Sequence, residues 1–257
     1  MEETQDVKVF LPVKILDKQW ADKLLDGSLY MRSLYEFGKW NLDEKSKNKA
    51  KEMDNTFRGD INEGIVKVID PKIGDPFFNS ILPPEARKFI PSMWYIDEGF
   101  YKYLKIYSMY SLTYNKNQKQ FEQPDEMLKD FGDTAVIIYY PDEFVRRIDK
   151  GLYDRFGDNI DFKIRQVFYY DLFKDFGDFD VFWKVKTYEW QKEVRITVGL
   201  LDGSETRIDE HGRQLKALIK SIEPLTLEIG SIEDISVTIP TEDLINLKLP
   251  AEIIAPD

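Results

Sequence analysis

The sequence predicts an α+β fold, mostly strands with short flanking helices, in a single domain spanning residues 1–257. Three observations predict it. Apolar–polar alternation of strand length recurs along the chain, as in "VKVFLPVKI", "YLKIYSMYSLTY" and "TAVIIYY". Helical patterns are fewer and short. No repeat, low-complexity tract or strong linker divides the chain, and 257 residues are enough to bury a core.

The elements follow in order. Residues 7–15 read as an opening strand, with Pro12 hinting at an edge or a bulge. "DKQWADKLLDG" (17–27) reads as a short amphipathic helix capped by Asp17, with Trp20, Leu24 and Leu25 inward and Gly27 as the stop. "SLYMRSLYEF" (28–37) returns as a strand. Residues 38–55, rich in Lys, Asp, Glu and Asn, read as a mobile loop or a solvated helix. "FRGDINEGIVKVI" (57–69) is a polar turn leading into a strand. Residues 70–100, with repeated prolines and many aromatics, read as irregular and lid-like.

The next strand, 103–114, places Tyr103, Lys105, Tyr107, Met109 and Ser111 on one face. Residues 115–132 form a loop and a short helix. "TAVIIYY" (134–140) is a buried strand, Pro141 opens a helix, and 161–172 is a strand. "YEWQKEVRITV" (188–198) alternates Val194, Ile196 and Val198 with Glu193, Arg195 and Thr197. The remainder gives a turn, further strands and a helix start at Thr241–Asp243.

Composition limits the function classes. There is no cysteine, which excludes disulfides, thiolate chemistry and Cys-rich zinc sites. The single histidine, His211, reads as a loop or helix-start residue, and no metal site is expected. No apolar run is long enough to span a membrane, and "MEETQDVKVF" lacks the order of a signal peptide. A cytoplasmic location without membrane contact is therefore expected. The net charge of −11 opposes non-specific nucleic-acid binding and favours a protein partner slightly, without excluding a local basic groove.

Four constellations can carry chemistry. Gln191 and Glu193 lie two apart at the start of a strand pattern, so both side chains point one way. A carboxylate there can hydrogen-bond a ribose 2′-hydroxyl and steady positive charge on the sugar, while the glutamine orients a recipient group. Any amphipathic strand makes the same spacing. "RGDINEG" (58–64) gathers Arg58, Asp60 and Glu63 between glycines that let backbone approach a ligand. A turn with a local ion pair is the plainer reading. Tyr30, Arg32 and Ser33 follow the first helix, and arginine suits a diphosphate. Tyr107, Ser108, Tyr110 and Ser111 can stack on and hydrogen-bond a flat ring, or pack in the core.

In this order the segments "LLDG", "SLYMRSLYEF", "RGDINEG", "IYSMYSL" and "YEWQKEVRI" resemble a diffuse group of uncharacterised bacterial and prophage proteins, itself similar to the ADP-ribosyltransferase superfamily. The resemblance covers roughly residues 8–198. It implies a split β-sheet core and an NAD-dependent mono-ADP-ribosyltransferase that takes NAD as substrate. The recipient would be a protein or a nucleic acid, in a toxin or phage-defence effector with an antitoxin or other inhibitory protein as partner. It makes Glu193 the catalytic glutamate with Gln191 beside it. Lys14, Tyr30, Arg32, Arg58, Tyr107 and Ser108 would border the dinucleotide, with Asp60 and Glu63 at the cleft edge. The first strand of such enzymes usually offers His or Arg, and only Lys14 stands near that place. The alternative is a non-catalytic acidic interaction protein on the same scaffold.

Overall fold

The structure, a computed structural model, describes residues 8–34, 64–72, 80, 83–96, 102–208, 214–250 and 253, without the side chains of 203–208 and 214–217. The expected turn with Arg58, Asp60 and Glu63 and the lysine-rich segment 38–55 lie outside the described residues, as does His211.

The mixed α+β prediction holds. A 10-stranded sheet runs in the order β13-β12-β5-β1-β7-β15, with β2, β6, β8 and β14 joined to it off that path. Its strands are β1 (Lys8–Leu16), β2 (Ser28–Ser33), β5 (Lys105–Asn115), β6 (Gln120–Phe121), β7 (Thr134–Ile138), β8 (Ile160–Gln166), β12 (Glu193–Ile208), β13 (Gln214–Leu218), β14 (Leu225–Glu228) and β15 (Ser236–Pro240). Smaller sheets join β3 (Ile65–Ile69) to β4 (Met93–Ile96) and β10 (Gly177–Asp178), and β9 (Phe168–Tyr170) to β11 (Trp183–Val185). The helices are α1 (Lys18–Leu25), α2 (Pro84–Arg87), α3 (Pro141–Phe156) and α4 (Thr241–Ile245), with 3-10 turns η1 (Glu126–Phe131) and η2 (Lys186–Gln191). Among the described residues no helix is long and apolar enough to cross a membrane.

The central strand is β5, buried on both faces. One of its edges carries β12, from Glu193 opposite Tyr110 to Val198 opposite Lys105. The other carries two strands in succession. β2 pairs at Lys105 and Ile106, and β1 pairs from Tyr110 to Asn115. Between them, Tyr107–Met109 meet neither strand, and the sheet divides. β1 leads on to β7 and β15, and β2 to β14.

One face of this sheet is covered by helices. Ala21 and Leu24 of α1 and Phe144, Ile148 and Leu152 of α3 pack on Leu29, Met31, Tyr107, Met109, Val136, Ile138, Ile196 and Val198. Each such large apolar side chain contributes about 1.5–3 kcal/mol on burial. The opposite face holds a second core of Leu11, Val13, Tyr110, Leu112, Ala135 and Ile137, closed by Leu244 and Ile245 of α4.

Several local expectations need correction. Trp20 is 49 % exposed, because the buried stripe of α1 runs through Ala21 and Leu24, and the Lys23 ammonium lies 4.5 Å over its ring instead. Pro12 is in an interior strand. It sits in the part of β1 that only β5 flanks, since pairing with β7 starts at Val13, which explains why a ring without an N–H fits there. Segment 70–100 is not wholly irregular, for α2 and β4 lie within it. The strand expected over 161–172 breaks at Val167 into β8 and β9. Gly27, the expected helix stop, has φ +95, and a Cβ there would stand 1.9 Å from the Gly230 carbonyl oxygen. Only glycine fits.

Candidate functional site

The segment "YEWQKEVRI" is not one strand. Lys186–Gln191 wind as η2, Lys192 takes a left-handed conformation at φ 37 and ψ 52, and β12 begins at Glu193. Two contacts hold that unusual backbone. The Lys192 carbonyl accepts from the Ser111 N–H at 2.9 Å, and its ammonium reaches Glu122 at 2.8 Å. Gln191 and Glu193 still converge, but through a turn rather than through strand alternation.

They converge on Lys184, which comes from β11, outside the main sheet. Its ammonium donates to Gln191 Oε1 at 2.7 Å and to Glu193 Oε2 at 3.0 Å. The other carboxylate oxygen, Glu193 Oε1, accepts from Ser108 Oγ at 2.6 Å and from Arg195 Nε at 2.7 Å. Arg195 also donates to the Val181 carbonyl. The Glu193 backbone N–H donates to the Tyr169 hydroxyl at 2.8 Å, and its carbonyl accepts from the Val167 N–H at 2.9 Å. Arg195 and Ser108 are opposite one another on β12 and β5, as Glu193 and Tyr110 are, so strand register brings these four residues to one face.

The network is deeply buried: Glu193 is 4 % exposed, Lys184 5 %, Gln191 6 % and Arg195 1 %. Ser108 and Tyr169 are its partly exposed members. Burial works to raise the Glu193 carboxyl, but Arg195, Lys184 and the Ser108 hydroxyl together outweigh it and hold the group well below the usual carboxylate range. Burial pushes the Tyr169 phenol up, and the Glu193 charge adds to that. The Gln191 Nε2 group is buried with no hydrogen-bond partner among the described residues, as are Tyr110 OH, Trp190 Nε1 and Ser33 Oγ.

The other expected residues divide between the two faces. Lys14 projects at the place where the sheet splits. Its ammonium donates to the Ser108 carbonyl at 2.5 Å and lies 4.2 Å over the Tyr107 ring. It fills the open edge of β5 left between β1 and β2. Burial lowers its pKa to about 8, against the Glu193 charge, which works to raise it. Alternation puts the Tyr107 side chain on the helix-covered face, away from Glu193, and burial pushes its phenol up. Arg32 is opposite Ile106, which is opposite Thr197, so Arg32 shares the Glu193 face. It is four residues along the strands from the row Val13–Tyr110–Glu193, roughly 16 Å away at about 3.3 Å per residue and 4.8 Å between strands. Tyr30 is exposed, and the Arg32 guanidinium lies 5.2 Å over its ring.

Sequence reasoning did not reach Lys184 or Tyr169. The only signal for Lys184 is a lysine set between Trp183 and Val185 in an apolar stretch. Nothing local marks Tyr169. Comparison with protein-family models, curated proteins and solved structures finds no match to this chain.

Proposed function

We propose that the chain is an NAD-dependent mono-ADP-ribosyltransferase acting on a protein or nucleic acid, as a cytoplasmic toxin or phage-defence effector whose inhibitory partner is an antitoxin-like protein. One observation carries the reading. A carboxylate at a strand start, Glu193, is held ionised by Arg195 and Lys184 with help from Ser108 of the neighbouring strand, and Gln191 is tied to it through Lys184, beside the point where the sheet divides. The chemistry asks for such a group. When the bond between ribose C1′ and nicotinamide nitrogen breaks, nicotinamide leaves with the electron pair and positive charge grows on the sugar. A fixed carboxylate accepts from the ribose 2′-hydroxyl and steadies that charge. The recipient's lone pair then bonds to C1′, and the recipient loses a proton. Arg32 and Tyr30, further along the same face, suit the diphosphate end.

A second reading has its own support. Both Glu193 oxygens are engaged and the side chain is 4 % exposed, as in an ion network that serves only to fix the fold of a non-catalytic acidic interaction protein. One experiment separates the two. The protein is incubated with NAD labelled on the adenylate and with cell lysate, and protein is then separated from nucleic acid. Transfer or hydrolysis that falls on the order of 100-fold in Glu193→Gln supports the transferase. Activity equal to wild type in Glu193→Gln, or none in wild type, leaves the ion network as a structural feature.

A further inference from the structure

Lys184 is the cation of the network that belongs to neither β5 nor β12. It stands on β11, whose partner is β9, and reaches in over the Tyr188 ring at 5.0 Å. From there it meets both residues of the proposed site, at 2.7 Å and 3.0 Å. An ammonium has only hydrogens to give. The Gln191 carboxamide must therefore turn its oxygen to Lys184, which leaves Nε2 on the other side. That Nε2 is buried and has no partner among the described residues. A buried, oriented and unsatisfied donor is costly, and a ligand that supplies the missing acceptor atom is one reason a native site keeps it.

Resting on the transferase reading, we propose that Lys184 is the positioning residue of this site. It fixes the Gln191 carboxamide as a hydrogen-bond donor toward the incoming recipient group and holds Glu193 Oε2 in the same register. The recipient atom, or the atom next to it, then carries a lone pair that accepts from Gln191 Nε2. Among the described residues, the charged and titratable groups shown acting on Glu193 or acted on by it are Lys184 of β11, Arg195 of β12, Tyr169 of β9 and Lys14 of β1. Of these, Lys184 is the one shown bonded to Gln191 as well.

The test compares wild type with Lys184→Met, Lys184→Gln and Lys184→Arg. The first readout is the ratio of label transferred to NAD hydrolysed in the same tube, which does not depend on how much of the protein is folded. The two neutral variants should lower that ratio about tenfold, the size of one lost charge-assisted hydrogen bond in the transition state, and Lys184→Arg should recover part of it. An unchanged ratio in the neutral variants overturns the proposal. The second readout needs no activity. In wild type the assigned Gln191 side-chain amide protons should exchange slowly with solvent, and a neutral variant should speed that exchange markedly. Wild-type amide protons exchanging as fast as those of an exposed glutamine overturn the proposal even if no variant folds. Slow amide exchange without any NAD turnover would instead remove the transferase reading, and the catalytic positioning with it.

Discussion

Two clusters in this molecule have the same wiring and opposite surroundings. On α3, Glu143 accepts from Arg146 Nε at 2.7 Å and Arg147 Nε at 2.8 Å, and Arg147 also reaches Asp234 at 2.6 Å. In the sheet, Glu193 accepts from Arg195 at 2.7 Å and Lys184 at 3.0 Å. Distances alone do not tell them apart. Exposure does, since Glu143 keeps 30 % of its side-chain surface and Arg146 65 %, against 4 % for Glu193 and 1 % for Arg195. At the surface, water replaces any partner that is lost. Inside, nothing does. Identical hydrogen bonds can therefore be dispensable in one place and obligatory in the other.

The largest expected effect breaks the comparison outright. Glu193→Ala removes the carboxylate that Lys184 and Arg195 share inside the fold and should destabilise the protein by about 3–5 kcal/mol, the usual result of removing one partner from a buried pair. Glu143→Ala should shift the denaturation midpoint little, because Arg146 stays solvated and Arg147 keeps its pairing with Asp234. Urea unfolding of the two variants side by side measures the contrast. A midpoint for Glu193→Ala no lower than that for Glu143→Ala would mean that water enters the sheet network freely.

Some of this contrast was legible in the sequence. The unit β1–α1–β2 follows from alternation on both sides of a short helix and from Gly27, whose positive φ no other residue adopts without strain. The helix opened by Pro141 and the strand from Lys105 follow equally from local pattern. Arg195 alternates with Val194 and Ile196, so its side of the strand was legible, but its burial was not. Alternation says that a residue faces away from an apolar core, and only the rest of the fold says whether water or another layer lies there. Here the layer is β9 and β11. The break at Lys192 was illegible for a different reason. A left-handed turn usually announces itself with Gly or Asn, and this one is held by Ser111 and Glu122, far away in sequence. Lys184 is not legible because its two partners stand in and just after a turn whose sequence alternates like a strand. Of the candidate residues, Glu193, Gln191 and Ser108 are joined in one network, Lys14 meets it at the Ser108 carbonyl, and Arg32 and Tyr30 lie farther along the same face.

A second, smaller effect sharpens the comparison through pH. The Glu193 carboxyl has its folded-state pKa below the unfolded value of about 4.3, so the folded state binds fewer protons than the unfolded state between the two. The stabilisation is complete above the unfolded pKa and is lost as pH falls toward the folded one. Glu122, Glu143, Asp171 and Asp234 are lowered too and titrate across the same acid range, so wild type alone would not isolate Glu193. The difference between wild type and Glu193→Gln does. It should be greatest near neutrality and shrink steadily below about pH 4. A difference that stays constant down to about pH 3 would place the Glu193 charge outside the stability balance.

The smallest expected effect is also the cleanest discriminator, because it depends on water rather than on contacts. Ions in solution screen exposed charges over about 8–10 Å at ordinary salt and about 3 Å near 1 M. The Arg146–Glu143–Arg147 cluster lies within reach of those ions, and its glutamate also sits in the first turn of α3, where the helix dipole favours a negative charge. Both contributions should fade as salt rises. The destabilisation caused by Glu143→Gln should therefore diminish from about 0.05 M to about 1 M sodium chloride, a range that spans most of the screening. Glu193 and Arg195 are almost fully covered by protein, so the destabilisation caused by Glu193→Gln should hold across the same range. Parallel thermal melts of the two variants against wild type provide the measurement. Two salt dependences of equal slope would show that the sheet network is open to solvent. A flat line for Glu193 beside a falling one for Glu143 would show that any substrate reaching Glu193 must first displace a bond that solvent does not disturb.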